Sequence, residues 1–211
     1  NGDGFYNFTY GVFAQNARTN GVANLPPLFT GQLNRNTTKD FGVFTTQKFA
    51  FTDKDSLQVG VRYSKVDITN RVNGSKRSYN ATTGNASYQH QFTPDVMGYV
   101  SYATGHKGQT YDLTTGFNRN RFLAGPVRPE TSKSLEGGAR TQLFDGRLTL
   151  NVTAFYTKYK DFQAQGIETL PDGTVNFRLA NVGKLRTQGI ELDSAAQLTD
   201  DQSRRTAFVM A

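Results

Sequence analysis

The side chains best suited to hold a small polar ligand lie in the run Gly105-His-Lys-Gly-Gln-Thr-Tyr-Asp-Leu-Thr-Thr-Gly-Phe-Asn118 and just beyond it. His106, Tyr111, Asp112, Arg119 and Arg121 supply an imidazole, a phenol, a carboxylate and two guanidinium groups in one short stretch. That set combines donors, acceptors and a ring, as the capture of a polar, negatively charged molecule requires. The glycine and threonine around them mark a loop, in which the same residues would otherwise serve only to stay solvated.

These residues do not assemble catalytic chemistry. The only histidines are His90 and His106, and there is no cysteine, so no zinc site has its ligands at usable spacing. No Gly-x-Ser-x-Gly elbow and no phosphate-cradling glycine loop occurs. Asp53-Lys-Asp55 pairs two carboxylates but lacks the glycine and distal glutamate of a calcium loop, and a tight turn accounts for it better. The expectation is a protein that is not an enzyme, with no cofactor and no resident metal.

Charge is the second chemical signal. The 211 residues carry a formal net charge of +7, and much of it falls in the loop-like stretches, at Arg18, Arg35 and Lys39, at Arg71, Lys76 and Arg77, and at His106, Lys107, Arg119, Arg121 and Arg128. An electropositive mouth would steer anionic ligands inward; contact with anionic lipopolysaccharide would use the same charges. Nucleic-acid binding needs basic residues interleaved with stacking aromatics on an open sheet. Here the apolar faces carry Leu, Val and Ala opposite few lysines, which argues against it.

The elements that must position this loop are strands. Leu135, Gly137, Ala139, Thr141 and Leu143 fall on one face and Glu136, Gly138, Arg140 and Gln142 on the other, the period-two pattern of a half-apolar strand. After Asp145-Gly146 the pattern resumes, with Leu148, Leu150, Val152, Ala154 and Tyr156 against Thr149, Asn151, Thr153 and Thr157; only Phe155 breaks it. Asp-Gly favours the positive backbone angles of a tight hairpin. Hydrophobic residues make up 36% of the chain and mean hydropathy is -0.57, so no spanning helix is present. Alternating strands hide their hydrophobicity from such averages.

Three blocks then appear in order: Arg128-Pro-Glu-Thr-Ser-Lys-Ser-Leu-Glu-Gly-Gly-Ala-Arg140, Leu148 to Gln163 with its Phe155-Tyr156, and Asn181-Val-Gly-Lys-Leu-Arg-Thr-Gln-Gly-Ile-Glu-Leu-Asp193. Their order and spacing resemble TonB-dependent outer-membrane receptors. Phe41-Gly-Val-Phe-Thr-Thr-Gln47, Val59-Gly-Val-Arg-Tyr63 and Tyr99-Val-Ser-Tyr-Ala-Thr-Gly105 echo earlier strands of the same barrels. The resemblance covers roughly residues 39 to 198. It implies an all-β, antiparallel up-and-down transmembrane β-barrel in a Gram-negative outer membrane. It further implies capture of a scarce nutrient, a ferric siderophore before others, and import driven by the TonB energy-coupling complex acting through a plug domain.

Strands are expected near 4–15, 39–51, 57–66, 80–92, 96–105, 133–143, 148–165 and 175–198, with a ninth from about 204. Links at Thr52 to Ser56, Thr93 to Asp95, Phe144 to Arg147 and Thr199 to Gln202 are short, and those around 16–38, 66–79, 106–132 and 166–174 are mostly long. Short turns on one rim and long loops on the other match periplasmic turns and extracellular loops. Arg62, Gln58, Glu136, Arg140, Gln142 and Glu191 would face the lumen. Plugged transporters close with roughly 22 strands, so residues 1–211 are expected to form a partial barrel of about eight or nine strands without plug or remaining wall, the pattern fading over 200–211. The alternatives are a soluble carbohydrate-binding or adhesive β-sandwich and a small stand-alone outer-membrane barrel.

Overall fold

The computed structural model describes residues 5–25, 29–111, 126–169, 171, 173, 175–197 and 207–210. Its strands are β1 (Tyr6–Leu25), β2 (Phe29–Ala50), β3 (Asp55–Asn70), β4 (Lys76–Thr93), β5 (Val96–Lys107), β6 (Glu130–Leu143), β7 (Leu148–Lys160), β8 (Gln163–Thr169), β9 (Val175–Asn181), β10 (Lys184–Gln197) and β11 (Ala207–Met210). Nine of them form one sheet in the order β1-β2-β3-β4-β5-β6-β7-β10-β11, and β8 pairs with β9 as a separate hairpin. Every pairing is antiparallel and each strand lies beside its chain neighbour apart from that inserted hairpin. The sheet is all-β and open between β1 and β11 among the described residues.

Register turns the alternation of the sequence into two chemically opposite surfaces. Counting up from the Phe144–Arg147 turn, the rows on one face of β6, β7 and β10 read Leu143, Leu148, Ala196; Thr141, Leu150, Ser194; Ala139, Val152, Leu192; Gly137, Ala154, Ile190; and Leu135, Tyr156, Gln188. The same rows on the other face read Arg140, Asn151, Asp193; Gly138, Thr153, Glu191; and Glu136, Phe155, Gly189. The apolar side is open: Ile190 is 77% exposed and Leu192 59%. Across β1, β2 and β3 the same surface continues through Phe8, Tyr10 and Val12, Val43 and Phe41, and Val61 and Tyr63.

That exposure decides between the architectures. A soluble sandwich covers its apolar face with a second sheet, yet among the described residues only Val66, Ile68 and Tyr111 are buried apolar side chains. A sheet with so little core is stable only where hydrocarbon replaces the missing layer. Five rows at about 6.7 Å per two residues, tilted as barrel strands are, rise about 20 Å, close to the height of an outer-membrane apolar band.

The strands differ from the sequence pattern at their upper ends. Within the 16–38 stretch the described residues continue β1 and β2, paired from Asn16↔Lys39 up to Leu25↔Phe29, and the 66–79 stretch continues β3 and β4 to a turn over Arg71–Ser75. Their Asn, Thr and Arg residues have loop composition, but a ladder above the membrane is held by backbone hydrogen bonds and needs no apolar face. Conversely, the expected strands 148–165 and 175–198 are each interrupted. Asp161 adopts φ 55° and Gly183 φ 97°, breaking β7 from β8 and β9 from β10. The Asp-Gly turn behaves as its residues require, with Phe144, Asp145 and Gly146 at φ 56°, 53° and 81°.

Phe155, the residue out of pattern, is a lumen-face aromatic. Its ring lies 3.0 Å from where a Cβ on Gly189 would stand. The glycine of the Gly-Ile-Glu-Leu block is therefore the seat of that ring.

Candidate functional site

The residues that gather at the long-loop rim do so because one seam of the sheet opens there. β4 and β5 pair only as far as Asn85↔Ala103. Above that point Thr104 Oγ1 accepts the Gly84 N–H at 2.9 Å and donates to the Gly84 carbonyl at 3.2 Å, so a side chain ends the ladder. The upper part of β4 then follows β3 alone, up to Thr69↔Lys76, while β5 follows β6 up to Lys107↔Glu130. The gap is bridged by side chains. The His106 ring stands edge-on to Tyr79 with centroids 6.0 Å apart, and the Tyr111 hydroxyl meets Ser75 Oγ at 2.8 Å. Tyr111 is 3% exposed and anchors the start of the long loop to the β3–β4 turn.

Charge surrounds this seam. Arg62 Nη2 lies 3.9 Å from Asp40 Oδ2, its Nε donates to Ser64 Oγ at 2.9 Å, and its guanidinium sits 5.1 Å above the Phe13 ring. Asp40 Oδ1 is enclosed and has no hydrogen-bond partner among the described residues. His106 lies at the upper end of β5, beyond the roughly ten residues that cross a bilayer. Burial lowers its pKa below the ordinary imidazole value, and Arg62 adds to the effect while Asp40 opposes it. The imidazole is therefore neutral at pH 7 and keeps one acceptor nitrogen. The Tyr79 hydroxyl is pushed up, first by burial and then by Asp40, and stays protonated as a donor.

A second cluster fixes the base of the loop. Asn181 Oδ1 accepts the Arg128 N–H at 2.8 Å, and its Nδ2 donates to the carbonyls of Arg128 at 3.0 Å and Asp161 at 2.7 Å. Glu130 Oε2 accepts the Gln163 N–H at 2.8 Å, and Gln163 Nε2 reaches the carbonyls of Gly108 and Arg128, each at 2.9 Å. Thus the Arg-Pro-Glu, Asp-Phe-Gln and Asn-Val-Gly blocks, far apart in sequence, meet in one latch. The Arg128–Asp161 pair at 2.6 Å is open to solvent on the arginine side and contributes little by itself; the buried amide of Gln163 and the half-buried amide of Asn181 hold the latch. Replacing Asn181 by leucine is expected to raise the rate of tryptic cleavage at Arg119 and Arg121 in the folded protein several-fold, because the loop base then opens more often. Unchanged cleavage would show that the latch does not restrain the loop.

Below the mouth the inner wall stays polar. The Tyr99 hydroxyl donates to Glu136 Oε1 at 2.6 Å and lies 3.0 Å from Thr153 Oγ1, with the Arg140 guanidinium 5.5 Å above its ring. Asn151 Nδ2 donates to Asp193 Oδ2 at 3.2 Å. At the opposite rim Asp55 accepts from Thr52 Oγ1 at 2.7 Å and from Tyr88, and pairs with His90 Nδ1 at 2.6 Å, so this carboxylate is committed to the β2–β3 turn. Among the described residues no three His, Asp or Glu side chains converge as metal ligands.

Of the loop residues singled out by chemistry, the structure brings His106 and Tyr111 to the same seam, while Asp112, Arg119 and Arg121 lie outside the described residues. It adds Asp40, Tyr79 and Ser75, which no local pattern marks. They reach His106 and Tyr111 only through the strand register.

Comparison with known proteins agrees with this architecture. The family model described as TonB dependent receptor-like, beta-barrel, matches residues 1–209. An uncharacterized TonB-dependent receptor of Haemophilus influenzae is 28% identical over 174 residues, covering 78% of this chain and 46% of its own length. The metal-pseudopaline receptor CntO of Pseudomonas aeruginosa is 25% identical over 182 residues, covering 83% and 24%. The chain thus spans less than half the length of these curated relatives. The crystal structure of the ferric yersiniabactin uptake receptor FyuA from Yersinia pestis superposes with a TM-score of 0.70 at 23% identity, covering 94% of this chain and 31% of that one. A family match over nearly every residue, on an open sheet whose outer face demands lipid, places this chain in the TonB-dependent receptor β-barrel family, as part of a barrel wall in a Gram-negative outer membrane.

Proposed function

We propose that this wall belongs to an active-transport receptor that captures a ferric siderophore at the cell surface and passes it through the barrel. The observation that carries the reading is the family match over residues 1–209; the relative CntO, named as a metal-pseudopaline receptor, supports a chelated metal as the cargo class. The remaining strands and a plug domain complete the barrel, and the TonB complex drives import through that plug. In this reading the wall itself performs no covalent chemistry. Its part is to hold a charged, hydrogen-bonding mouth above a polar lumen.

In this reading His106 offers an acceptor at the mouth and Tyr111 holds the loop. Asp112, Arg119 and Arg121, from the same stretch of sequence, are assigned to the ligand by their chemistry, with the two arginines drawing in an anionic chelate. Uptake of radioactive iron, supplied on a panel of catecholate, hydroxamate and carboxylate siderophores, tests it in iron-starved cells with and without the gene. Gene- and TonB-dependent uptake of one class is the expected result; equal uptake of all of them without the gene would refute the proposal. Replacing Arg119 and Arg121 by glutamine is expected to slow ligand association several-fold at low salt and much less at moderate salt, since exposed charges are screened over about 10 Å at 0.1 M. An unchanged rate at both salt concentrations would exclude steering by this loop.

A further inference from the structure

Counting up from the β2–β3 turn, the lipid-facing residues at the end of β2 and along it are Phe51, Phe49, Gln47, Thr45, Val43 and Phe41. They share that face with Phe8, Tyr10 and Val12 on β1 and with Val59, Val61 and Tyr63 on β3. Aromatic rings bound the series at both ends, as they do at the two edges of a bilayer. Between them Gln47 stands about 13 Å along the strand from Phe51 and about 20 Å from Phe41. At mid-height on β6 and β7 the same face carries only Ala139, Gly137, Val152 and Ala154. Gln47 is half-buried among its neighbours, and among the described residues its carboxamide meets no hydrogen-bond partner. An unpaired amide in hydrocarbon is costly, because neither its donors nor its acceptor can turn to water. The sheet settles a comparable group elsewhere: Thr141, on the lipid face of β6, donates its hydroxyl to the Leu150 carbonyl at 2.7 Å. Gln47 has no such outlet.

Beside it Tyr6, Phe8 and Tyr10 stack in series along β1, with centroids 5.6 Å and 6.0 Å apart and interplanar angles of 26° and 12°. Phe8 is the cross-strand partner of Gln47. Near-parallel rings make a flat, stiff ridge, on which a second β-surface can lie with little loss of side-chain freedom.

We propose that the outer face of β1 and β2 is a dimerisation surface, on which Gln47 pairs with Gln47 of a second copy across a two-fold axis normal to the membrane. The amide selects the occupant. Acyl chains carry no hydrogen-bonding group at this depth, and the headgroups at either edge lie out of reach. A carboxamide has both donors and an acceptor, so two of them facing each other are satisfied by reciprocal N–H to C=O bonds, as polar side chains between membrane segments are. Two copies in one bilayer sit at the same depth, which brings Gln47 to Gln47 without adjustment, and such an isologous contact needs no second specialised surface. The inference rests on the outer-membrane placement and not on the identity of the cargo.

The test uses the full-length receptor that carries this chain, in its own outer membrane. This chain has no cysteine, and any elsewhere in the receptor are replaced by serine. Gln47→Cys is treated with a membrane-permeable oxidant beside Val152→Cys, which lies in the apolar band of β7. The first is expected to give a covalent homodimer and the second none. Sedimentation in mild detergent then compares the wild type with Gln47→Leu, which is expected to self-associate roughly 10-fold or more weakly through the loss of two hydrogen bonds in apolar surroundings. Urea titration in lipid vesicles should find Gln47→Leu at least as stable as the wild type, since leucine suits hydrocarbon better than an amide; weaker association then cannot come from a lost fold. A wild type that stays monomeric, a folded leucine variant that associates as tightly, or equal cross-linking at both positions would overturn the proposal. A cross-link from Gln47→Cys to a different outer-membrane protein would overturn it in favour of a mixed complex. Iron uptake by the same cells keeps the two readings apart: a leucine-sensitive dimer supports the interface whether or not iron is imported, and import without a dimer counts against the interface alone.

Discussion

Arginine in place of Ala154 is expected to destabilise the folded barrel by about 2–4 kcal/mol, while arginine at the adjacent Thr153 costs about 1 kcal/mol or less. The two positions differ only in which side of the sheet they face. Ala154 sits mid-height in the apolar band between Gly137 and Ile190, so a guanidinium there stays in hydrocarbon or distorts the bilayer to reach water. Thr153 lies between Gly138 and Glu191 on the inner wall, beside the Tyr99 hydroxyl, where a cation meets carboxylates and water. Urea titration of the full-length barrel in lipid vesicles, with the midpoint compared at constant slope, measures both. Equal costs would mean that the apolar face does not meet lipid, and the assignment of lumen and membrane sides would have to be abandoned.

The next largest effect is expected from a single methyl group. Gly138→Ala should cost about 1–3 kcal/mol through overpacking, whereas Gly137→Ala should be nearly neutral. A Cβ on Gly138 would collide with the carbonyl oxygen of Val152 and stand 2.9 Å from the Tyr99 ring. Backbone of a paired strand cannot retreat without breaking its ladder, and a displaced ring would lose its hydrogen bond to Glu136. A Cβ on Gly137 would meet only the Tyr99 carbonyl at 3.5 Å, an ordinary contact, on the side open to lipid. The same urea titration separates the pair, and Tyr99→Ala combined with Gly138→Ala sorts the two contacts. If the ring were the main obstacle, the double variant would recover most of the loss; persistence of the loss identifies the backbone carbonyl. Equal behaviour of the two single variants would contradict the close approach altogether.

Much of the architecture was legible because a barrel strand is a local object. The alternation from Leu135 to Leu143 and from Leu148 to Tyr156 already separates the two faces, and Asp145-Gly146 already sets a tight turn between them. What misled was composition. The Asn- and Thr-rich stretches 16–38 and 66–79 resemble loops in content, yet 16–25 pairs with 29–39 and 66–69 with 76–79 as strands, since beyond the bilayer neither face needs hydrophobicity and only backbone geometry remains. Asp161 misled in the opposite direction: an aspartate within a strand-like run gives no sign that it will adopt φ 55° and end the strand.

The mouth divides along the same line. His106 and Tyr111 stood out by their chemistry, and the structure seats them at one seam. Asp40, Tyr79 and Ser75 had no such mark, because their proximity depends on the place where β4 leaves β5. One hydroxyl, Thr104, ends that ladder by taking both backbone groups of Gly84, and no periodicity announces such a substitution. The latch of Glu130, Gln163 and Asn181 was visible only as three separate blocks.

By itself the sequence determined the strand periodicity, the turn chemistry, the resemblance to a barrel family and the excess of positive charge, because each is written within about a dozen neighbouring residues. Only the tertiary structure decided which of those charges stand side by side. Lys133, Lys158 and Arg186 are scattered along the chain and become one row through the register of β6, β7 and β10. Register is the sum of many cross-strand hydrogen bonds acting together, and that sum exists only once the sheet has formed.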